Sequence, residues 1–171
     1  MSNKYYYLTA SLPYLSFRDE PPFNGDAFIA ECEKWLLPRD MKILLSASRH
    51  CREGRCKGTL FLEKWEKFDA NLREDLARVR AARKKGESYK TSETLKSVMA
   101  QETPLLMEQA LEEIRWDFIE DESREHFFDI NLLISYFLKI QILERLAQFD
   151  KDKGEKFFYS LCEVTYEQTV G

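Results

Sequence analysis

The chain has 171 residues, 44% of them hydrophobic and 33% charged, with a net charge of −4 at pH 7. That apolar share supports a core and excludes global disorder, and the acidic balance argues against general nucleic-acid binding, which needs a basic face to neutralise phosphates. Only six Gly and five Pro are present, too few turn residues for a sandwich or barrel, so long helices are expected.

Residues 5–17 (YYYLTASLPYLSF) are aromatic and apolar. Tyr and Phe favour strand there, while Leu8 to Leu12 could form one short helix. In either form the segment should dock on the body. Pro21 and Pro22 make 19–23 an extended connector. Asn24 offers a helix N-cap, with Asp26 in the first turn and Phe28, Cys32, Trp35 and Leu36 at helical spacing. Pro38 starts a second helix carrying Met41, Leu44 and Leu45. A basic loop follows at 49–58 (RHCREGRCKG).

Thr59 then caps a long helix reaching about Lys85, where Gly86 ends it. Its apolar positions Phe61, Trp65, Phe68, Leu72, Leu76 and Val79 step by four and three, as in a coiled-coil seam. Any part of that strip left uncovered by the core would be a binding groove. Glu63 with Lys67, and Glu74 with Arg78, are i,i+4 pairs on its wet face. Ser92 or Glu93 opens the next helix, and Thr103-Pro104 marks a kink or restart. A break is expected at the acidic residues 120–122. Residues 127–149 read as a helix that is apolar over much of its surface, the most buried element. Lys153-Gly154 punctuates, and Phe157, Phe158, Leu161 and Val164 form a last amphipathic helix.

The sequence therefore predicts an all-α fold, an elongated bundle of about five to seven helices. It reads as a single helical domain over 1–171: a docked segment at 1–23, a helical hairpin and basic loop at 24–58, and a long-helix bundle at 59–171. The longest apolar run, 132–138 (LLISYFL), is far below the ~18 residues of a membrane span. Residues 1–11 lack the pattern of a signal peptide, and the cysteine spacing is not that of a disulfide framework, so a cytoplasmic setting is expected. The chain would reach the inner membrane only peripherally, through partners.

No catalytic constellation emerges, and no cofactor or metal is expected. His50, Cys51 and Cys56 share one loop, but a zinc site needs a second ligand pair that the spacing does not supply. A small metal- or thiol-dependent enzyme built on these three is the reading from another functional class. Arg49, Arg52, Arg55 and Lys57 in the same loop are candidates for gripping an acidic partner. His126 near Asp129 suggests a local structural role, because no activated nucleophile accompanies it. Asp117, Glu120, Asp121 and Glu122 lack the pattern of a calcium loop and read as a solvated face. Trp35, Trp65 and Trp116 read mostly as core, with some aromatic surface left for docking.

Two stretches resemble a known family. Tyr5-Tyr6-Tyr7-Leu8, Ala10-Ser11-Leu12-Pro13, Leu15-Ser16-Phe17 and Pro21-Pro22-Phe23 are similar to the N-terminus of an uncharacterised bacterial family, a domain of unknown function whose genes sit within V-type ATP synthase operons. Arg115-Trp116, His126-Phe127-Phe128-Asp129 and the run from Tyr136 to Arg145, followed by Asp150 and Lys153-Gly154-Glu155, resemble its C-terminal signature. The middle, residues 49–103, carries no such likeness. The family occupies the operon position where other V/A-type ATPases encode their helical socket, the funnel-like piece that joins the central rotor stalk to the membrane ring. The resemblance implies a non-catalytic component or assembly factor whose partners are V-type ATPase subunits, and it brings no catalytic residues. The alternative is a free-standing helical protein–protein adaptor unrelated to the ATPase.

Overall fold

The computed structural model describes residues 5–17, 19–48, 58–87, 92–149 and 151–167, with side chains at 154–162 only in the last stretch. These residues form eight α-helices: α1 (Tyr6–Ser11), α2 (Gly25–Glu33), α3 (Pro38–Ser46), α4 (Leu60–Lys85), α5 (Glu93–Met99), α6 (Pro104–Ser123), α7 (Ile130–Ala147) and α8 (Lys151–Glu167). The all-α expectation holds, with slightly more helices than the five to seven foreseen. The N-terminal aromatic segment settles as helix α1, and Thr103-Pro104 restarts the chain, separating α5 from α6.

Capping chemistry fixes most helix starts. The side chains of Asn24, Thr59, Ser92, Thr103 and Asp129 each accept a hydrogen bond from a backbone N–H three residues on, satisfying a donor that the helix itself leaves unpaired. Gly86 closes α4 at φ +72, a left-handed conformation that glycine adopts without Cβ strain. Three boundaries differ from expectation: α6 runs through the acidic residues 120–122, where a break was expected, and ends at Ser123. Phe127 and Phe128 lie outside α7, because Asp129 takes the cap and Phe128 turns to φ +56. Gly154 does not interrupt the chain but sits within the first turn of α8, where the intrinsic cost of a helical glycine, ~1 kcal/mol, is tolerated.

Two apolar clusters result. The larger joins Leu8, Phe28, Leu44, Phe61, Leu62, Trp116 and Ile119 to the buried face of α7. The smaller joins Leu76, Leu95, Val98 and Leu111 across α4, α5 and α6. The α4 seam is thus consumed by the protein's own packing: Phe68 stacks on Phe118 with ring centroids 4.0 Å apart, and Leu72, Leu76 and Val79 cover the smaller cluster. Among the described residues, its six apolar side chains are all buried or half-buried. Of the two pairs foreseen on the wet face of α4, Glu74 and Arg78 are joined.

Between the two clusters lies a layer of charge. Asp69 of α4 and Glu112 and Arg115 of α6 are all buried. Arg115 donates to Asp69 at 2.9 Å and to Glu112 at 3.2 Å. Arg73 adds a second guanidinium to Asp69. From α7, Arg145 donates to Glu108 at 2.9 Å and places Nε 3.2 Å from Glu112. Burial pushes the Asp69 carboxyl up, but the hydrogen bonds and charges of Arg73 and Arg115 outweigh it and hold the group below the usual carboxylate range.

Candidate interaction site

Where α1 meets the turn between α6 and α7, aromatic rings gather at the surface. The Tyr6 ring lies 4.8 Å from that of Phe128 and 5.6 Å, edge-on, from that of Tyr7. Tyr6 is 50%, Tyr7 76% and Phe127 68% exposed. Large aromatic side chains combine rigidity, apolar area and, for Tyr, a hydrogen-bonding tip, which is why they are enriched where proteins meet.

The mount beneath these rings is stiff. Phe128 occupies the left-handed region, which costs a bulky L-residue roughly 1–2 kcal/mol and persists only where its surroundings enforce it. On one side, His126 Nδ1 lies 2.8 Å from Asp129 Oδ2 while the other oxygen of Asp129 caps α7 through Leu132 N–H at 3.0 Å. The Asn131 amide and the Phe61 ring close on the same imidazole, at 3.3 and 6.0 Å. On the other side, Tyr5 N–H donates to Phe128 O at 3.3 Å. The Tyr5 hydroxyl donates to Asp40, pinning α1 to α3, and burial together with that carboxylate pushes its pKa up to about 12. His126 and Asp129 thus take the local structural role anticipated for His126.

The run from Tyr136 to Arg145 is scaffold. Tyr136 donates to Pro13 O at 2.9 Å, and burial raises its pKa to about 12. Lys139 pairs with Glu120 at 3.0 Å and sits 4.8 Å over the Trp116 ring. Gln141 donates to Ala47 O at 3.3 Å, and Glu144 accepts from Gly25 N–H at 2.8 Å, at the head of α2. One helix thereby fastens the N-terminal segment, α2, α3 and α6.

Arg49, Arg52, Arg55 and Lys57 lie outside the described residues, as do His50, Cys51 and Cys56. Among the described residues, no group of three or more His, Cys, Asp or Glu side chains is arranged to hold a metal ion, and no helix is long and apolar enough to cross a membrane. Glu120, Asp121 and Glu122 are paired with Lys139, Arg124 and Lys64. Trp116 is buried, but Trp35 is 52% exposed and its indole donates to Glu31 at 3.2 Å, so it is a surface residue rather than core. Sequence reasoning missed the convergence of Tyr6, Tyr7 and Phe128; two aromatic residues directly ahead of an Asp cap were the available signal.

No curated protein and no solved structure matches the chain. Residues 83–168 match a family described as protein of unknown function (DUF2764). This span takes in the aromatic turn and the α7 scaffold, while residues 5–23 lie outside it. With just over half of its length matched, the chain belongs to the DUF2764 family.

Proposed function

We propose that this protein is a non-catalytic component or assembly factor of a V/A-type ATPase, acting as a socket between rotor stalk and membrane ring, and that it meets its partner through the aromatic corner of Tyr6, Tyr7, Phe127 and Phe128. The ATPase assignment rests on the likeness of its two ends to a family encoded in V-type ATP synthase operons. The corner is the observation that carries the binding role: exposed rings on a frame that the fold holds in a strained turn. Such a surface suits a socket, which needs stiff helices and docking faces rather than a nucleophile. Arg49, Arg52, Arg55 and Lys57 would supply an accessory basic contact to an acidic partner. The test is capture of V-type ATPase subunits from gently solubilised membranes by the tagged protein, with Phe127→Ala alongside. Capture that Phe127→Ala weakens supports the reading; equal capture by both chains removes the corner from it.

A further inference from the structure

The two apolar clusters differ in how they are tied to the rest of the molecule. The larger gathers side chains from α1, α2, α3, α4, α6 and α7. In the smaller, Leu76, Leu95, Val98 and Leu111 come from α4, α5 and α6 alone, and so, among the described residues, does every hydrophobic side chain packed against them. α5 has seven residues, too few to hold a helix in water unless an apolar face is covered, and Leu95 and Val98 supply that face. The end of α4, the whole of α5 and the start of α6 therefore stand or open together, because each covers the apolar surface of the others.

The charge layer sets where such an opening stops. Parting α4 from α6 at its level, while the larger cluster stays closed, separates the buried Asp69 from Arg115, which donates to it at 2.9 Å. A buried charge robbed of its partner is strongly disfavoured. Beyond the layer the start of α6 is tied to α7 by the pair of Arg145 and Glu108, whose side chains are 43% and 30% exposed, and a pair so open to water adds little. We propose that α4 from Leu72 onward, α5, and α6 as far as Leu111 form an arm that opens as one cooperative unit while the larger cluster stays folded, and that Asp69, Glu112 and Arg115 are its boundary. Fraying from a helix end differs, because it proceeds turn by turn without a fixed stop. This inference is independent of the ATPase reading.

The test is amide hydrogen exchange of the full native chain at neutral pH, resolved by residue. Amides over 76–83, 97–100 and 108–111 should share one level of protection, at least about a hundredfold below that over 137–143 in α7, ~2.8 kcal/mol. Equal protection in the two sets overturns the proposal. So does a gradient that rises residue by residue from Lys85 back through Asp69. Leu95→Asp gives a second reading, because a carboxylate in that buried place holds the arm open. The variant should lose protection throughout the arm, retain it over 137–143 and keep Cys32 closed to alkylation. Loss of protection over 137–143 as well overturns the proposal, because the opening would then have no boundary at the layer.

Discussion

Arg115 of α6 donates to Asp69 of α4 at 2.9 Å, at the level where the two apolar clusters meet. Along α4, Phe61 and Leu62 serve the larger cluster and Leu76 the smaller, with Asp69 between them. Along α6, Leu111 and Trp116 divide in the same way around Glu112 and Arg115. Replacing Arg115 by Met leaves two buried carboxylates short of a guanidinium. Removing one partner of a buried network costs about 3–5 kcal/mol, and the lower end is expected because Arg73 and Arg145 remain. Urea denaturation measures it. A loss under about 1 kcal/mol, the range of a surface ion pair, would show that the layer is hydrated.

The strained turn predicts an unusual order of variants. Phe128→Ala keeps the left-handed cost and loses the ring contact with Tyr6, whereas Phe128→Gly loses the contact but relieves the strain. The glycine variant should be the more stable of the two by roughly 1 kcal/mol. Thermal unfolding checks the order, and an alanine variant that matches or exceeds the glycine one would remove strain from the account.

Stability should fall at both ends of the pH range. The Tyr136 hydroxyl is raised from 10.0 to about 12 by burial, so the folded state holds a proton that the unfolded chain releases. Its contribution is complete below pH 10 and is lost as pH rises towards 12. Tyr136→Phe should flatten that alkaline limb. Asp69 has the opposite sign: its carboxyl is held below the usual 3.8, so its contribution is present above that pH and is lost as pH falls below it. Asp69→Asn should remove this part of the acid limb. Denaturant titrations across pH provide the check, and parallel curves for parent and variant would contradict either assignment.

The thiols should separate cleanly. Cys32 has no solvent exposure, and burial first, then the charge of Glu31, raises its pKa to about 12. Cys162 is exposed. Brief alkylation of the native protein at mildly alkaline pH, followed by peptide mapping, should mark Cys162 and leave Cys32 unmodified until the chain is unfolded. Rapid labelling of Cys32 would mean that the larger cluster opens readily.

The helices were legible wherever one side chain decides a boundary. Asn24, Thr59, Ser92 and Thr103 announced their caps, and Gly86 its stop, because capping is local chemistry. The turn at Phe128 was harder to read, because the apolar run masks its one local signal, the Asp129 cap that excludes the two aromatic residues before it. Asp69 was hidden for a related reason. It flanks the apolar seam of α4, where a carboxylate gives no sign of its partner, and that partner, Arg115, is 46 positions away. Of the candidate site, Phe127 and Phe128 stood in a recognised motif, but their meeting with Tyr6 depends on α1 docking, a tertiary event without a local signature.

The partner decides between the two readings of this protein. The most direct measurement is purification of the tagged protein from its native cell, with quantitative identification of what accompanies it. V-type ATPase subunits are expected, at near-equal amounts if the chain is a resident component, with ATP hydrolysis eluting alongside. Recovery of the protein without any such subunit would contradict the ATPase role and leave a free-standing helical adaptor.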